Sequence, residues 1–474
     1  MLTKTNIFGF PILVAFFCLS LYGQGYPTSP VSPYMIPFYQ DFRKNHDLSV
    51  FKQFYPFEKN RFSSVKTNLP DKHAVFGIHP GYQYRSGEVD IASFDFWLSG
   101  KMNNITVMAE PVFVSDPFGQ SILGTDYVRM NTSGRVNNAF IRYYGKNLAV
   151  QMGRSPLVWG QSWSHSIIHS SLMPTYDHIS IRYNLATIQL EVMSGQLAAD
   201  RTIEGEAVRR LTAGHRFTWI PEHGRLLLGF GEQIIYTGVN RSLEMMYLNP
   251  FIPFAFSALE DEVPSYPSDN DNSVIFLYGR FVIQPSLSLY GEFLIDDFQV
   301  DPDPAQHMLG YKFGLDGALQ FGGVPMTWEA EVTRIDSWTY IHHGQFSTWQ
   351  NRGHATGYLY GPDLWSTCLQ ADAWIRPKVL ANFEFTWLEK GANTLSTPWA
   401  NANNVGDPFP IPPVVRHMLL DVSVGWWSEH TILTAGWSNL PFASEIAYVG
   451  MTEPKEGGFY LKFQFLYNWG FDLE

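Results

Sequence analysis

The chain has 474 residues and a formal net charge of −12, with 16% charged residues and 75 aromatic ones, where soluble proteins average about 25% charged. So apolar a chain is not disordered, and its acidity weighs against nucleic acid as a partner. Beyond the first 23 residues there is no uninterrupted apolar run of the length a membrane-spanning helix needs, about 18 residues, so the apolar side chains must alternate with polar ones.

Lys4 precedes an apolar stretch from Ile7 to Leu21, broken by Pro11 and followed by the small Gly23. That is the order of a secretory signal peptide over residues 1–23, with cleavage expected near Gly23. A lipoprotein is the rival reading because Cys18 lies in this stretch, but Phe16 and Phe17 stand where a lipobox needs small residues. Cleavage leaves Cys368 as the single thiol, which allows no internal disulfide, and takes the formal charge to −13 with the loss of Lys4. Residues 24–74 open on Pro27, Pro30, Pro33 and Pro37 and then mix aromatic with charged residues at near-helical spacing. They read as a small periplasmic element that seals or braces the domain beginning at residue 75.

From residue 75 onward the pattern has period 2. Leu461, Phe463, Phe465, Tyr467, Trp469 and Phe471 share one face of an extended strand, and Lys462, Gln464, Asn468 and Asp472 lie on the other. Leu309 to Phe321 and Met418 to Trp426 alternate in the same way. Such alternation marks a strand with one apolar and one polar face. Strands are expected near 75–84, 89–98, 104–114, 136–144, 147–154, 178–184, 186–194, 211–220, 225–234, 274–284, 287–296, 309–321, 326–335, 368–376, 379–388, 417–427, 431–437 and 459–471. Short turns such as Gly145-Lys146, Pro285-Ser286 and Pro377-Lys378 alternate with much longer connections, the first hairpin excepted. This is the plan of an all-β, closed antiparallel outer-membrane β-barrel of about 18 strands over residues 75–474. A soluble sandwich or propeller accounts for the alternation but not for the aromatic terminal strand.

Four strings, "QMGRSPLVWGQSW", "GFGEQIIYTGVNRSLEMMYLNPFIPF", "YGEFLIDDF" and "NRGHATGYLYGPD", together resemble the capsule-assembly Wzi-like family of outer-membrane proteins, over roughly residues 75–474. The resemblance implies an eighteen-stranded barrel with a periplasmic helical element, acting as a lectin-like surface anchor for capsular or other exopolysaccharide. The chain departs from the family at "WGQSW", where a Gly or Pro is expected soon after the Trp-Gly pair.

The loop from Ser337 to Thr367 is the densest in aromatic and hydrogen-bonding side chains: Trp338, Tyr340, Trp349, Arg352, His354, Tyr358, Tyr360, Asp363 and Trp365. Aromatic faces stack on pyranose rings while Arg, His and Asp bind hydroxyls, so this loop is the first choice for a glycan platform. Trp159, Trp163 and His165, in the loop after Arg154, form a second candidate set, with the alternative that the tryptophans pack the loop into the barrel mouth. Arg154 and Glu232 read as structural, with Arg154 expected to pair with a lumenal carboxylate such as Glu191 or Glu232. The loop from Ile235 to Ser273, with "NPFIPF" and then an acidic stretch, suggests a segment folded inward as a plug. Asp269, Asp271 and Glu260 to Glu262 offer oxygen ligands for Ca²⁺, but no complete EF-hand spacing is present, and a solvated acidic loop is the preferred reading. No metal site is expected, because adjacent His342 and His343 point oppositely on an extended segment. Neither a cofactor nor an enzyme signature is found.

The sequence thus reads as a monomeric outer-membrane barrel, in contact with outer-membrane lipid, whose external loops hold surface polysaccharide without turnover. The alternative is a channel for oligosaccharides or other small solutes. The two differ in the lumen, which Glu191, Glu329, Glu331, Asp372 and Arg376, together with an infolded loop, are expected to fill in the anchor.

Overall fold

A computed structural model describes residues 72–472 apart from 87–89, 116–127, 162–165, 222–224, 255–270, 298–306, 400–407 and 441–455 and the single positions 171, 285, 343, 345, 377 and 429. The signal peptide and nearly all of the N-terminal element, and with them the expectations placed there, lie outside the described residues.

Among the described residues eighteen barrel strands run in chain order: β1 His73–Arg85, β2 Ile91–Met102, β3 Ile105–Ser115, β4 Thr132–Tyr144, β5 Leu148–Ser155, β6 Tyr176–Leu185, β7 Ile188–Gln196, β8 Ala207–Trp219, β9 Leu226–Val239, β10 Asp271–Gln284, β11 Leu287–Asp297, β12 Met308–Phe321, β13 Val324–Ile335, β14 Leu364–Arg376, β15 Val379–Lys390, β16 Val415–Trp427, β17 Thr431–Ser438 and β18, made of Gly458–Phe465 and Tyr467–Asp472. Each pairs antiparallel with its neighbours in the chain. β18 returns to β1, with Tyr82 opposite Phe463 and Phe76 opposite Trp469, so the sheet closes. Closure leaves no unpaired edge, the condition hydrocarbon places on any spanning sheet.

All connections at one end, such as 103–104, 145–147, 186–187 and 322–323, have two to six residues. Gly322 and Gly323 form one of these turns with φ of 57° and 82°; two successive positive φ values are what a two-residue hairpin asks for and what glycine adopts without strain. The other end carries 116–131, 156–175, 240–270, 336–363, 391–414 and 439–457. The strand count and the order of short and long connections are those expected from the sequence.

Side-chain parity assigns the faces. On β12, Phe313, Leu315, Leu319 and Phe321 are exposed on the outer wall while Lys312 and Asp316 are fully buried inside. On β16, Met418, Val422, Val424 and Trp426 face outward, and His417, Leu419 and Trp427 face in. The outer face is therefore the apolar one that meets lipid, and the main hydrophobic cluster lies inside the barrel. There, loop residues Leu157, Trp159, Ile167, Tyr340, Trp349 and Tyr358 pack against the inward side chains Leu227, Ile235, Phe276, Leu294, Leu364 and Leu388.

Two lumenal expectations are corrected. Glu232 lies on the outer wall, because the inward parity of β9 falls on Leu227, Gln233 and Ile235. The described part of the segment after β9, up to Phe254, is no inward plug either. Its Tyr247 and Phe254 pack on the outward residues Leu211, Ala213, Ile234 and Tyr236 of β8 and β9.

Replacing Val422, midway along β16 and exposed on its outer face, with Arg places a charge on the lipid face near mid-membrane and should cost about 2–4 kcal/mol. Equilibrium unfolding in lipid vesicles measures it, and a neutral effect would show that β16 does not face hydrocarbon.

Candidate functional site

The inner wall is polar, and several of its charges form ion pairs. Glu191 on β7 accepts from Arg216 at 2.6 Å and Arg182 at 3.4 Å. Arg280 on β10 meets Asp316 on β12 at 2.5 Å, and Lys312 meets Glu331 on β13 at 2.7 Å. The Tyr290 hydroxyl lies 2.5 Å from a carboxylate oxygen of each of Glu329 and Glu331. Glu191, Glu329, Glu331 and Asp372 thus sit in the lumen as expected, whereas Arg376, at the end of its strand, is exposed. A buried charge is tolerated only with its partner; removing one partner typically costs about 3–5 kcal/mol.

Two loops enter this lined space. In the loop after β5, Trp159 is fully buried, with Arg216 5.3 Å from its ring and its Nε1 donating to Glu191 at 3.4 Å. Gly214 makes room for it, since a Cβ there would lie 2.6 Å from the indole. Glu292 holds the same loop by accepting from Gln161 N, from Ser166 Oγ at 3.0 Å and from Ile167 N at 2.8 Å. The packing alternative weighed for Trp159 is the arrangement found. Trp163 and His165 lie outside the described residues.

The loop 336–363 docks beside it. Tyr340 donates its hydroxyl to Ile167 O at 2.5 Å and its backbone N–H to Asp296 at 2.5 Å. Tyr358 bonds Ser366 at 2.6 Å, with Lys312 5.0 Å from its ring, and Tyr360 packs edge-on against it. Trp349 lies inside the lumenal cluster, and Trp338 packs on Trp399 near Met308 and Ile341. A short hairpin, Gln350–Asn351 with His354–Ala355, is stitched to two other loops by Asn351, which donates to Pro174 O at 2.8 Å and accepts from Ala198 N at 3.0 Å. Asp363, fully buried, accepts from Ser337 Oγ at 2.8 Å and from Asn393 N and Ile411 N at 3.0 Å, tying this loop to the one after β15.

The sequence-nominated residues therefore separate. Trp338, Tyr340, Trp349, Tyr358, Tyr360, Asp363 and Trp159 are buried in the plug and its joints. Arg352 is exposed at the hairpin tip, with His354 buried behind it. Trp365 belongs to β14, not to the loop; it faces outward beside Phe409, with Arg334 5.8 Å from its ring, as an interfacial girdle residue does. Arg154 pairs with Asp177 at 2.7 Å, not with Glu191 or Glu232, because its parity on β5 points outward. The acidic candidates Glu260, Glu262 and Asp269 lie outside the described residues, and Asp271 is bonded to Arg241 and Tyr247.

The largest omission of the sequence reading is Arg210. Fully buried on β8, it donates to the carbonyls of Phe346, Thr348 and Gln350 at 2.7, 2.8 and 2.9 Å, clamping the loop 336–363 from the wall. Its inward parity and lack of a nearby acidic residue in the strand were the available signal. Among the loop histidines, burial lowers the pKa of His169 to about 3 and of His354 to about 4. Gln233 donates to His169 Nδ1 at 2.9 Å, which leaves Nε2 to donate to Tyr176 at 3.1 Å, so the neutral ring is the one the site holds.

Among family models, the one described as capsule assembly protein Wzi matches residues 58–438. Among solved structures, the chain is similar to Wzi of Escherichia coli, described as an outer-membrane protein involved in group 1 capsule assembly and a carbohydrate-binding β-barrel. The identity is 14% and the TM-score 0.55, over 90% of this chain and 92% of that one. OccAB4 of Acinetobacter baumannii aligns at 10% identity over 85% of this chain and all of that one, with a TM-score of 0.46. OccD3 of Pseudomonas aeruginosa gives 9%, 85%, 93% and 0.46. No curated protein matches the sequence.

Arg210→Met should strand three carbonyls, that of Thr348 buried at a cost of about 1–3 kcal/mol and those of Phe346 and Gln350 half-buried, and release the loop 336–363. The checks are a lowered melting temperature and new protease cleavage within that loop; an unchanged melt would remove Arg210 as the clamp. Acid should act in the same direction. An undocked histidine takes up a proton near pH 6.5 while docked His169 and His354 refuse it down to about 3 and 4. Docking is therefore fully stable above pH 6.5 and weakens as pH falls through that window, by at most about 1.4 kcal/mol per unit and per histidine. Near-UV circular dichroism between pH 7 and 4 reads this loss, and His354→Gln should reduce its slope.

Proposed function

This chain belongs to the family of capsule assembly protein Wzi, and on that premise we propose that it is an outer-membrane, lectin-like barrel that holds capsular or other surface polysaccharide without catalysis. The observation that carries the reading is the filled lumen. Trp159, Tyr340, Trp349 and Tyr358 form a packed core where a transport channel needs an open path, and buried Arg210 and Asp363 fasten the loops that carry them. A rigid lid at the external end suits a protein that presents a surface rather than a passage.

The contact set we assign is the exposed rim rather than the buried aromatic side chains. Arg352 stands at the hairpin tip within electrostatic range of Arg135, whose guanidinium is anchored to Thr175 O at 2.7 Å, while the neighbouring Arg154 is neutralised by Asp177. The pair Arg352 and Arg135 gives a chain of net charge −12 a local attraction for an anionic glycan, over a Debye length of about 8 Å in physiological salt. His354, behind Arg352, supports the tip by bonding its carbonyl at 3.0 Å. The buried tryptophans and tyrosines then act as the floor that keeps the rim in place.

Arg352→Glu should lower retention of surface glycan several-fold while the amount of folded barrel stays constant; retention equal to that of the unaltered protein would remove the rim from the site. Trp349→Ala, by contrast, should cost about 3–5 kcal/mol of stability and reduce barrel abundance. In planar bilayers the purified protein should give no steady large single-channel current, and such a current would overturn the anchor in favour of transport.

A further inference from the structure

The described residues of the segment after β9, up to Phe254, lie on the outside of the barrel, and their backbone donors near Glu232 are paired. Over residues 248–254 every backbone N–H is accounted for. Leu248 donates to Met245 O and Asn249 to Met246 O, each at 3.1 Å. Phe251 donates to Asn249 Oδ1 at 3.1 Å and Ile252 to Asn249 O at 3.3 Å. Phe254 donates to Glu232 at 2.5 Å, and Pro250 and Pro253 have no N–H to satisfy.

The depth follows from the strands. β9 has 14 residues, and a tilted spanning strand needs about 9–11. Glu232 lies seven residues from the external end of β9, opposite His215 on β8. Even with all the excess length projecting outward, the Phe254 end of the segment reaches below the external surface of the membrane. Its composition agrees: residues 245–254 carry no charge, and Met245 and Phe251 are 80% and 77% exposed on the outer wall. Phe251 lies 6.2 Å from Phe217, which stacks on the lipid-facing Phe230 at 5.2 Å, so the segment continues the apolar band. At its upper end Arg241 binds Glu244 and Asp271, and Tyr247 binds Asp271 at 2.8 Å, a charged collar at the level where strands leave the membrane.

We propose that residues 245–254 form a re-entrant lip immersed in the outer leaflet of the membrane, with lipid acyl chains as the partner of Met245 and Phe251. The lip covers Glu232 and His215, two polar side chains that would otherwise face lipid on the outer wall. It is independent of the polysaccharide reading, since it requires only the barrel in its membrane.

Nitroxide labels on Met245→Cys and, separately, Phe251→Cys test it in lipid vesicles, with collision rates for oxygen, which concentrates in hydrocarbon, and for a water-soluble nickel chelate. Cys368 is buried and out of reach of the label. Labels at Val424→Cys on the lipid face and Ile203→Cys, fully exposed in an external loop, calibrate the scale. The lip predicts that positions 245 and 251 match 424, with oxygen collisions at least several-fold above those of nickel. A pattern like that of 203 would place the segment in water and overturn the proposal. Shielding from both reagents would overturn it too, in favour of a protein cover such as a second copy of the chain. Should Phe251→Cys fail to fold, Met245→Cys carries the same outcomes, because that side chain is almost free of protein contact. As a second measurement, Asn249→Leu removes the acceptor of Phe251 N. It should shift the label at 245 toward the nickel reagent, whereas a water-facing segment would replace the lost acceptor with solvent and show no shift.

Discussion

Every feature of this protein depends on the requirement that backbone polar groups find partners inside the protein wherever water is absent. It closes the sheet through the pairing of β18 with β1, and it fixes the meaning of the two faces. Once the outside is solvated by lipid, apolar side chains there gain nothing by packing together, and the lumen becomes the place where a compact core can form. The packed cluster around Trp159, Tyr340 and Phe276 is such a core, made from loops that would be surface features in an ordinary globular domain.

Burying loops inside a polar-walled tube raises the same requirement again, and the wall meets it with side chains. Arg210 supplies donors to three loop carbonyls, Glu292 accepts from two loop amides and a hydroxyl, and Asp363 joins two loops through one carboxylate. The ion pairs Glu191 with Arg216, Asp316 with Arg280 and Glu331 with Lys312 join β7 to β8, β10 to β12 and β12 to β13. Such pairs contribute little net stability against an apolar replacement but penalise a misplaced register, because a slip of one residue would send each charge into lipid. The lumen is thus specific as well as filled, and the external rim inherits its rigidity.

Much of the fold was legible because strand pattern is local. Alternation along Leu461 to Phe471, Leu309 to Phe321 and Met418 to Trp426 places side chains on two faces whatever the rest of the chain does, and the strands found there have that parity. Strand ends were less legible: Trp365 was read as a loop residue because the first residues of β14, Leu364 to Thr367, show no clear contrast of apolar and polar positions. The candidate site was legible in composition but not in exposure. A cluster of Trp, Tyr, His and Arg describes a sugar platform and a packed plug equally well, and among the described residues of the loop 336–363 only Arg352 emerged clearly exposed.

The sequence by itself determined the barrel, its approximate strand number, the end that bears long loops and the lipid-facing side chains, since each follows from a period of two and from turn length. The tertiary structure alone decided where the long loops go. The segment 336–363 enters the lumen and 245–254 descends the outer wall, although both are aromatic and apolar. The difference lies in what each meets across the sheet: an inward Arg210 offering donors to carbonyls, and an outward Glu232 offering an acceptor to Phe254. Those partners are distant in sequence, and no local pattern announces them.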